Sequence, residues 1–207
     1  EQIGYGSNHD AYCKAEMTSS QPTVKGIWWC KLQKGNIDSQ LYGAYNFYNI
    51  LAAVSMGNYF NVEAELINEG VNSYVSGINR SQIIKGDNYN VYLDAYNANP
   101  TSMKAALDNF IVSDYKHKYV ILGDMFEIGE SSTIEHKKTI EQVLESKEIG
   151  KAVFVGKEFN NASISHPKAH YFVNLEETKE WFNKQVFNNA SILIKGSRGM
   201  QLEKLLK

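Results

Sequence analysis

Apolar and polar positions follow two different rhythms along the chain. Residues 1–43 carry short runs rich in Tyr, Trp, Gly and Thr, such as Gly26-Ile27-Trp28-Trp29-Cys30-Lys31-Leu32, whose length and residue types suit strands. After Gly43 the spacing becomes helical: Phe47, Ile50, Leu51 and Val54 share one face of a helix predicted over residues 45–56. A second helix is predicted over 62–71, opened by Asn61 as N-cap and weakened at Gly70. Residues 81–85 and 89–94, parted by Gly86-Asp87-Asn88, then have the form of a hairpin.

From there strands and helices alternate. Helices are predicted over 102–111, 133–146, 176–186 and 200–206, and strands over 119–122, 152–155, 170–173 and 192–194. Such alternation with short connections predicts an α/β fold, a mostly parallel sheet covered by helices. The hairpin sets a domain boundary near Arg80, giving domains over 1–80 and 81–207.

Composition narrows the function classes. A length of 207 residues suffices for one large or two modest domains, and 43% apolar with 21% charged residues is ordinary for a globular chain. A formal charge of −2 argues against nucleic-acid binding, which needs clustered Lys and Arg. Only Cys13 and Cys30 occur, too few for a disulfide framework or a zinc pattern, so a reducing cytoplasm is the simplest setting. No apolar run approaches the roughly 18 residues of a membrane span. The first residues have no signal-peptide character and no starting Met, and read as a cut into a longer protein.

Three polar clusters follow predicted strands, where parallel α/β sheets bind ligands. Asp94-Ala95-Tyr96-Asn97-Ala98-Asn99-Pro100 is either a plain turn or a nucleotide contact, since Asn, Asp and Pro form turns and also suit a helix start. Gly123-Asp124-Met125-Phe126-Glu127-Ile128-Gly129-Glu130 offers acids that equally complement a helix dipole. Lys195-Gly196-Ser197-Arg198-Gly199 sets two cations beside glycines, a composition suited to an anion. The run from Gly150 to Glu158 imitates a phosphate-binding loop, but its glycines are one residue too far apart and Glu158 stands where Ser or Thr would bind magnesium; no G-x-x-x-x-G-K-[ST] occurs in the chain. His9, His117, His136, His166 and His170 show no metal-ligand spacing, and no metal-binding residue is assigned.

In order, these clusters resemble the motifs of the Mur ligase family. Gly43-Ala44-Tyr45-Asn46-Phe47-Tyr48-Asn49-Ile50-Leu51-Ala52-Ala53 resembles its G-x-H-N-x-x-N-x-L-A-A helix, with Tyr45 in place of the usual His. Asn79-Arg80-Ser81-Gln82 matches the Arg at the hinge into the C-terminal domain. Leu93 to Met103, Gly123 to Gly129 with His136, and Lys195 to Met200 resemble the branch that adds D-Ala-D-Ala to UDP-MurNAc-tripeptide. The Tyr96-to-Pro100 and Gly123-Asp124-Met125 signatures argue against a folylpolyglutamate-type ligase or another Mur enzyme; a non-catalytic nucleotide-binding module is the remaining rival.

The resemblance implies a truncated central ATPase domain followed by a complete Rossmann-like C-terminal domain. It implies ATP and magnesium as cofactors, with the phosphate loop, the magnesium ligands and a carbamylated Lys all upstream. Its substrates would be UDP-MurNAc-tripeptide and D-Ala-D-Ala, in the cytoplasm, without nucleic acid or membrane insertion. Asn46 and Asn49 would border adenine, and Arg80 and Asp94, with Tyr96, Asn97 and Asn99, would meet ribose or phosphate. Lys195, Ser197 and Arg198 would face the acyl phosphate or the dipeptide carboxylate, and Asp124 with Glu127 the dipeptide amine.

Overall fold

The structure is a computed structural model and describes residues 3–7, 10–77 and 79–206, so His9 lies outside the described residues. The chain divides into two compact units, residues 1–76 and 77–207.

The first unit is a four-stranded sheet backed by two helices. Strands β1 (Tyr5–Gly6), β2 (Cys13–Ser19), β3 (Lys25–Cys30) and β4 (Gln33–Asp38) lie in sequence order, with β1 parallel to β2 and the others antiparallel. Along β3, Gly26, Trp28 and Cys30 turn inward while Lys25, Ile27 and Trp29 face out, the two-residue period of a half-buried strand. Helix α1 (Asn46–Tyr59) buries Phe47, Ile50, Leu51 and Val54 on this inner face, as its spacing predicts. Helix α2 (Ala64–Ser73) contributes Ile67 to the core, and its Asn68 accepts a 2.9 Å hydrogen bond from the Trp28 indole. Asn61 does not cap α2. Its left-handed φ of 60° belongs to the turn leaving α1, and Glu63 takes the cap position.

The sheet register adds a pairing that the cysteine count alone does not show. Cys13 and Cys30 lie directly opposite one another on β2 and β3 and form a disulfide inside the core. Strand pairing, invisible in a count of two, brings them together.

The second unit is a six-stranded sheet of order β5-β6-β10-β7-β8-β9. The hairpin is real: β5 (Gln82–Lys85) runs antiparallel to β6 (Tyr89–Asp94), and every other neighbouring pair is parallel. Helix α3 (Pro100–Val112) leads to β7 (Lys118–Gly123), α4 (Ser132–Glu145) to β8 (Ile149–Val155), α5 (Lys157–Asn161) to β9 (Ala169–Phe172), and α6 (Leu175–Asn183) to β10 (Ala190–Lys195). Val91, Leu93, Ile121, Val153, Ile192 and Ile194 pack on the side of Phe182 and Leu202. The alternate residues turn to the other face, where Tyr92 meets Phe110 of α3 and Phe154 meets Phe159 of α5.

One element is not predicted and one predicted element differs. The five-residue α5 is too short to leave a helical period in the sequence. The helix predicted over 200–206 is two 3-10 turns, Arg198–Met200 and Leu202–Leu206, because Gln201 between them is left-handed at φ 52°.

Candidate functional site

Topology gathers the three polar clusters. The chain skips a position between β6 and β7, and β10 returns to fill it, so β6, β10 and β7 are adjacent and parallel. Asp94, Lys195 and Gly123 therefore end three neighbouring strands, at the switch in strand order where such sheets open a ligand crevice.

Lys195 is the centre of this edge. Its ammonium, 1% exposed, donates to Asp94 Oδ2 at 2.6 Å and to the Asn97 carbonyl at 3.2 Å. Desolvating an ammonium is tolerable only with such partners. It thus holds the turn that follows β6. Asn99 caps α3 by accepting from the Ser102 N–H at 2.8 Å, with Ser102 Oγ accepting from the Asn99 N–H in return, and Pro100 occupies the first turn. The Asn99 side chain is thus engaged as a helix cap, whereas that of Asn97 is exposed and, among the described residues, makes no such contact.

Tyr96 carries the arginines. The Arg80 guanidinium carbon stands 3.5 Å from the centre of its ring and that of Arg198 5.1 Å. Both arginines are exposed, and among the described residues neither guanidinium has a hydrogen bond or ion pair. Two cations this close repel unless an anion joins them, since both lie within one Debye length, about 10 Å at 0.1 M salt.

Asp124 and Ser197 are turned inward, at 3% and 4% exposure. The Asp124 carboxylate accepts from the Glu158 and Phe159 N–H groups at 3.1 and 3.0 Å, where α5 begins. Burial raises its pKa, opposed by those two donors. Ser197 Oγ accepts from the Phe126 N–H at 2.8 Å, and its own N–H donates to the Asp124 carbonyl at 3.1 Å. Of the four residues assigned to catalysis, Lys195, Ser197 and Asp124 spend their polar atoms on neighbouring loops; Arg198 reaches solvent. Glu127 is exposed and left-handed at φ 64°, beside a cleft of about 280 Å³ that Ser132 and Glu158 also line.

In the first unit, Asn46 is buried and donates to the Tyr42 carbonyl at 2.8 Å, while its Oδ1 accepts from Asn49 at 3.1 Å. Asn49 is exposed and borders an apolar cleft of about 260 Å³ with Leu41, Ile50, Ala53, Gly70, Val71 and Tyr74. Asn46 thus orients, and Asn49 is the amide presented. Among the described residues no three His, Cys, Asp or Glu side chains could hold one metal ion, and no helix is long and apolar enough to cross a membrane.

Residues 79–198 match the profile of the Mur ligase, glutamate ligase domain. The chain belongs to the Mur ligase family. It is 29% identical over 221 residues to the UDP-N-acetylmuramoyl-tripeptide--D-alanyl-D-alanine ligase of Bacillus subtilis, covering 98% of this chain and 46% of that enzyme. The enzyme of the same name from Buchnera aphidicola subsp. Baizongia pistaciae is 31% identical over 170 residues, covering 81% of this chain and 36% of the relative. Among solved structures, MurF from Acinetobacter baumannii superposes with a TM-score of 0.84 at 24% identity, over 99% of this chain and 46% of that one. MurF from Thermotoga maritima, solved in complex with ADP, gives 0.78 at 15% identity, over 99% and 47%. The fold is thus that of MurF, and this Mur ligase chain spans under half the length of these relatives.

Proposed function

We propose that this chain forms part of an ATP-dependent ligase that joins D-Ala-D-Ala to UDP-MurNAc-tripeptide in the cytoplasm. The observation that carries the reading is the pair of guanidiniums on Tyr96, which have no hydrogen bond or ion pair among the described residues, beside the Lys195–Asp94 edge, since every reactant of that chemistry carries a phosphate or a carboxylate. The names of the Bacillus and Buchnera relatives support this choice of substrates.

In this reaction a tripeptide carboxylate oxygen attacks the γ-phosphorus of ATP, and the bond to the bridging oxygen of ADP breaks. The dipeptide amine then attacks the acyl carbon, inorganic phosphate leaves and the amine gives up a proton. No covalent nucleophile is required of the protein; it positions the reactants and offsets their charge. Arg80 and Arg198 suit phosphoryl or carboxylate oxygens because their planar forks stay charged. The free Asp94 oxygen suits a ribose hydroxyl, with Asn97 exposed beside it, and the cleft at Asn49 suits a flat base with an amide at its edge. Lys195, Ser197 and Asp124 hold the loops that present these groups. Magnesium finds no ligand set in the described residues, and no step here runs through it.

The chain contains no phosphate-binding loop, and by itself it is expected neither to ligate nor to hydrolyse ATP. The decisive experiment uses a ligase polypeptide that contains both this chain and the loop, fed tripeptide labelled with ¹⁸O in its terminal carboxylate. Label in the released phosphate is expected. Ligation without label would remove the acyl phosphate, and ATP binding without ligation would favour the non-catalytic module.

A further inference from the structure

Residues 124, 125 and 126 follow β7 at the middle of the candidate site, and each is fixed by a different element. Asp124 is held by the first N–H groups of α5, and Phe126 by Ser197 beyond β10. Met125 is held by His136, from one turn inside α4. The Met125 N–H donates to His136 Nε2 at 3.0 Å, so that nitrogen carries a lone pair and no proton. The other ring nitrogen, Nδ1, lies 2.8 Å from the Ser132 carbonyl, which can only accept; Nδ1 therefore carries the proton. The ring is fully buried and edge-on to Phe159 at 4.6 Å. Asp124 Oδ1 stands 3.7 Å from Nε2, but the ring offers it no N–H there.

Glycines shape the same junction. A Cβ on Gly156 would collide with the Asp124 carboxylate, one on Gly199 would stand 2.7 Å from the Phe126 ring, and one on Gly196 would stand 3.0 Å from Gly123 Cα. The loops after β8 and β10 therefore close on residues 123–126 with no room for a side chain between them. A shift of Met125 would carry Phe126 with it, and so the Ser197–Arg198 turn.

We infer that His136, as the neutral Nδ1–H tautomer accepting from Met125, is a positioning residue that sets the loop after β7 and through it the turn bearing Arg198. It touches no reactant. The geometry stands without the ligase reading; only the kinetic consequence rests on it.

The test begins with this chain, labelled with ¹⁵N at histidine and in the backbone. An unprotonated Nε2 with scalar coupling to the Met125 amide nitrogen is expected. A protonated Nε2 in the folded chain would overturn the inference. His136→Gln can present an oxygen to the same N–H, whereas His136→Leu cannot. The Leu variant should lose Met125 amide protection by at least about tenfold and shift the Ser197 and Arg198 amides, with Gln restoring both. In a ligating polypeptide, Leu should lower kcat/KM for the dipeptide by at least about tenfold, with partial rescue by Gln. Kinetics untouched by Leu would overturn the positioning role even with the tautomer confirmed. If the Leu chain does not fold, the wild-type spectrum and Ser197→Ala decide: the latter should disturb the Phe126 and Arg198 amides while Met125 stays protected, and an undisturbed Arg198 would overturn the inference. A wild type that never ligates removes the ligase reading and leaves the spectroscopic arms standing.

Discussion

The Lys195 ammonium lies 2.6 Å from the Asp94 carboxylate, across two directly registered positions on adjacent parallel strands, 101 residues apart in sequence. The lysine side chain is 1% exposed and the aspartate 15%, so water screens the pair little. Removing one partner leaves the other charge stranded, at a cost of about 3 kcal/mol, whereas removing both is far less harmful. Asp94→Leu and Lys195→Met should each lower unfolding free energy in urea by about that amount, and the double variant by much less than their sum. Simple additivity would show that the two groups do not stabilise one another.

Gly156 follows β8 at φ 121°, where L side chains are strained, and the Asp124 carboxylate occupies the place of its missing Cβ. Gly156→Ala should therefore destabilise the second unit by about 2–4 kcal/mol, from backbone strain together with displacement of a buried carboxylate. Thermal unfolding followed by near-ultraviolet circular dichroism measures this. A melting point within a degree or so of wild type would contradict the packing.

Asp124 gives a pH signature. Burial holds its folded pKa above the ordinary carboxylate value, outweighing the Glu158 and Phe159 donors. Between the unfolded and folded values the native state binds more protons. The contribution is thus fully present below the unfolded pKa and lost as pH rises through the folded one. The stability of wild type relative to Asp124→Asn should fall across that acidic window and then level off. A difference that rises with pH there would mean the carboxylate is favoured by its surroundings.

Much of this was legible in the sequence, because turn residues adjoin apolar runs locally. Asp94, Gly123 and Lys195 could each be placed at a strand end from their immediate neighbours. What was not legible depends on pairing: nothing near Cys13 names Cys30 as its cross-strand partner, and nothing in residues 190–195 places β10 between β6 and β7. The role of His136 was hidden for the same reason, since its partner Met125 lies in a separate loop and the helix around it looks like an ordinary surface helix. Tyr45, in place of the usual His, opens α1 without a side-chain cap, and Asn46 instead secures the entry by donating to the Tyr42 carbonyl.

The nucleotide assignment is tested by kinetics in a ligase polypeptide that includes the phosphate loop. Among the described residues the Arg80 guanidinium has no hydrogen bond or ion pair, and Asp94 bonds Lys195 through Oδ2 alone. A charge-assisted hydrogen bond contributes about 1.5–3 kcal/mol, roughly ten- to more than a hundredfold in an equilibrium. Arg80→Ala and Asp94→Asn should each lower kcat/KM for ATP by at least about tenfold, the Asn variant keeping a neutral acceptor for Lys195 so that less stability is lost than in Asp94→Leu. Their combined effect should be less than additive if both report on one nucleotide-bound state. Asn90→Ala, within β6 and away from its carboxyl end, is the control and should leave ATP kinetics unchanged. Wild-type ATP kinetics in Arg80→Ala and Asp94→Asn, with urea stability intact, would remove both residues from the nucleotide site and leave the anion at Tyr96 to be supplied by the dipeptide alone.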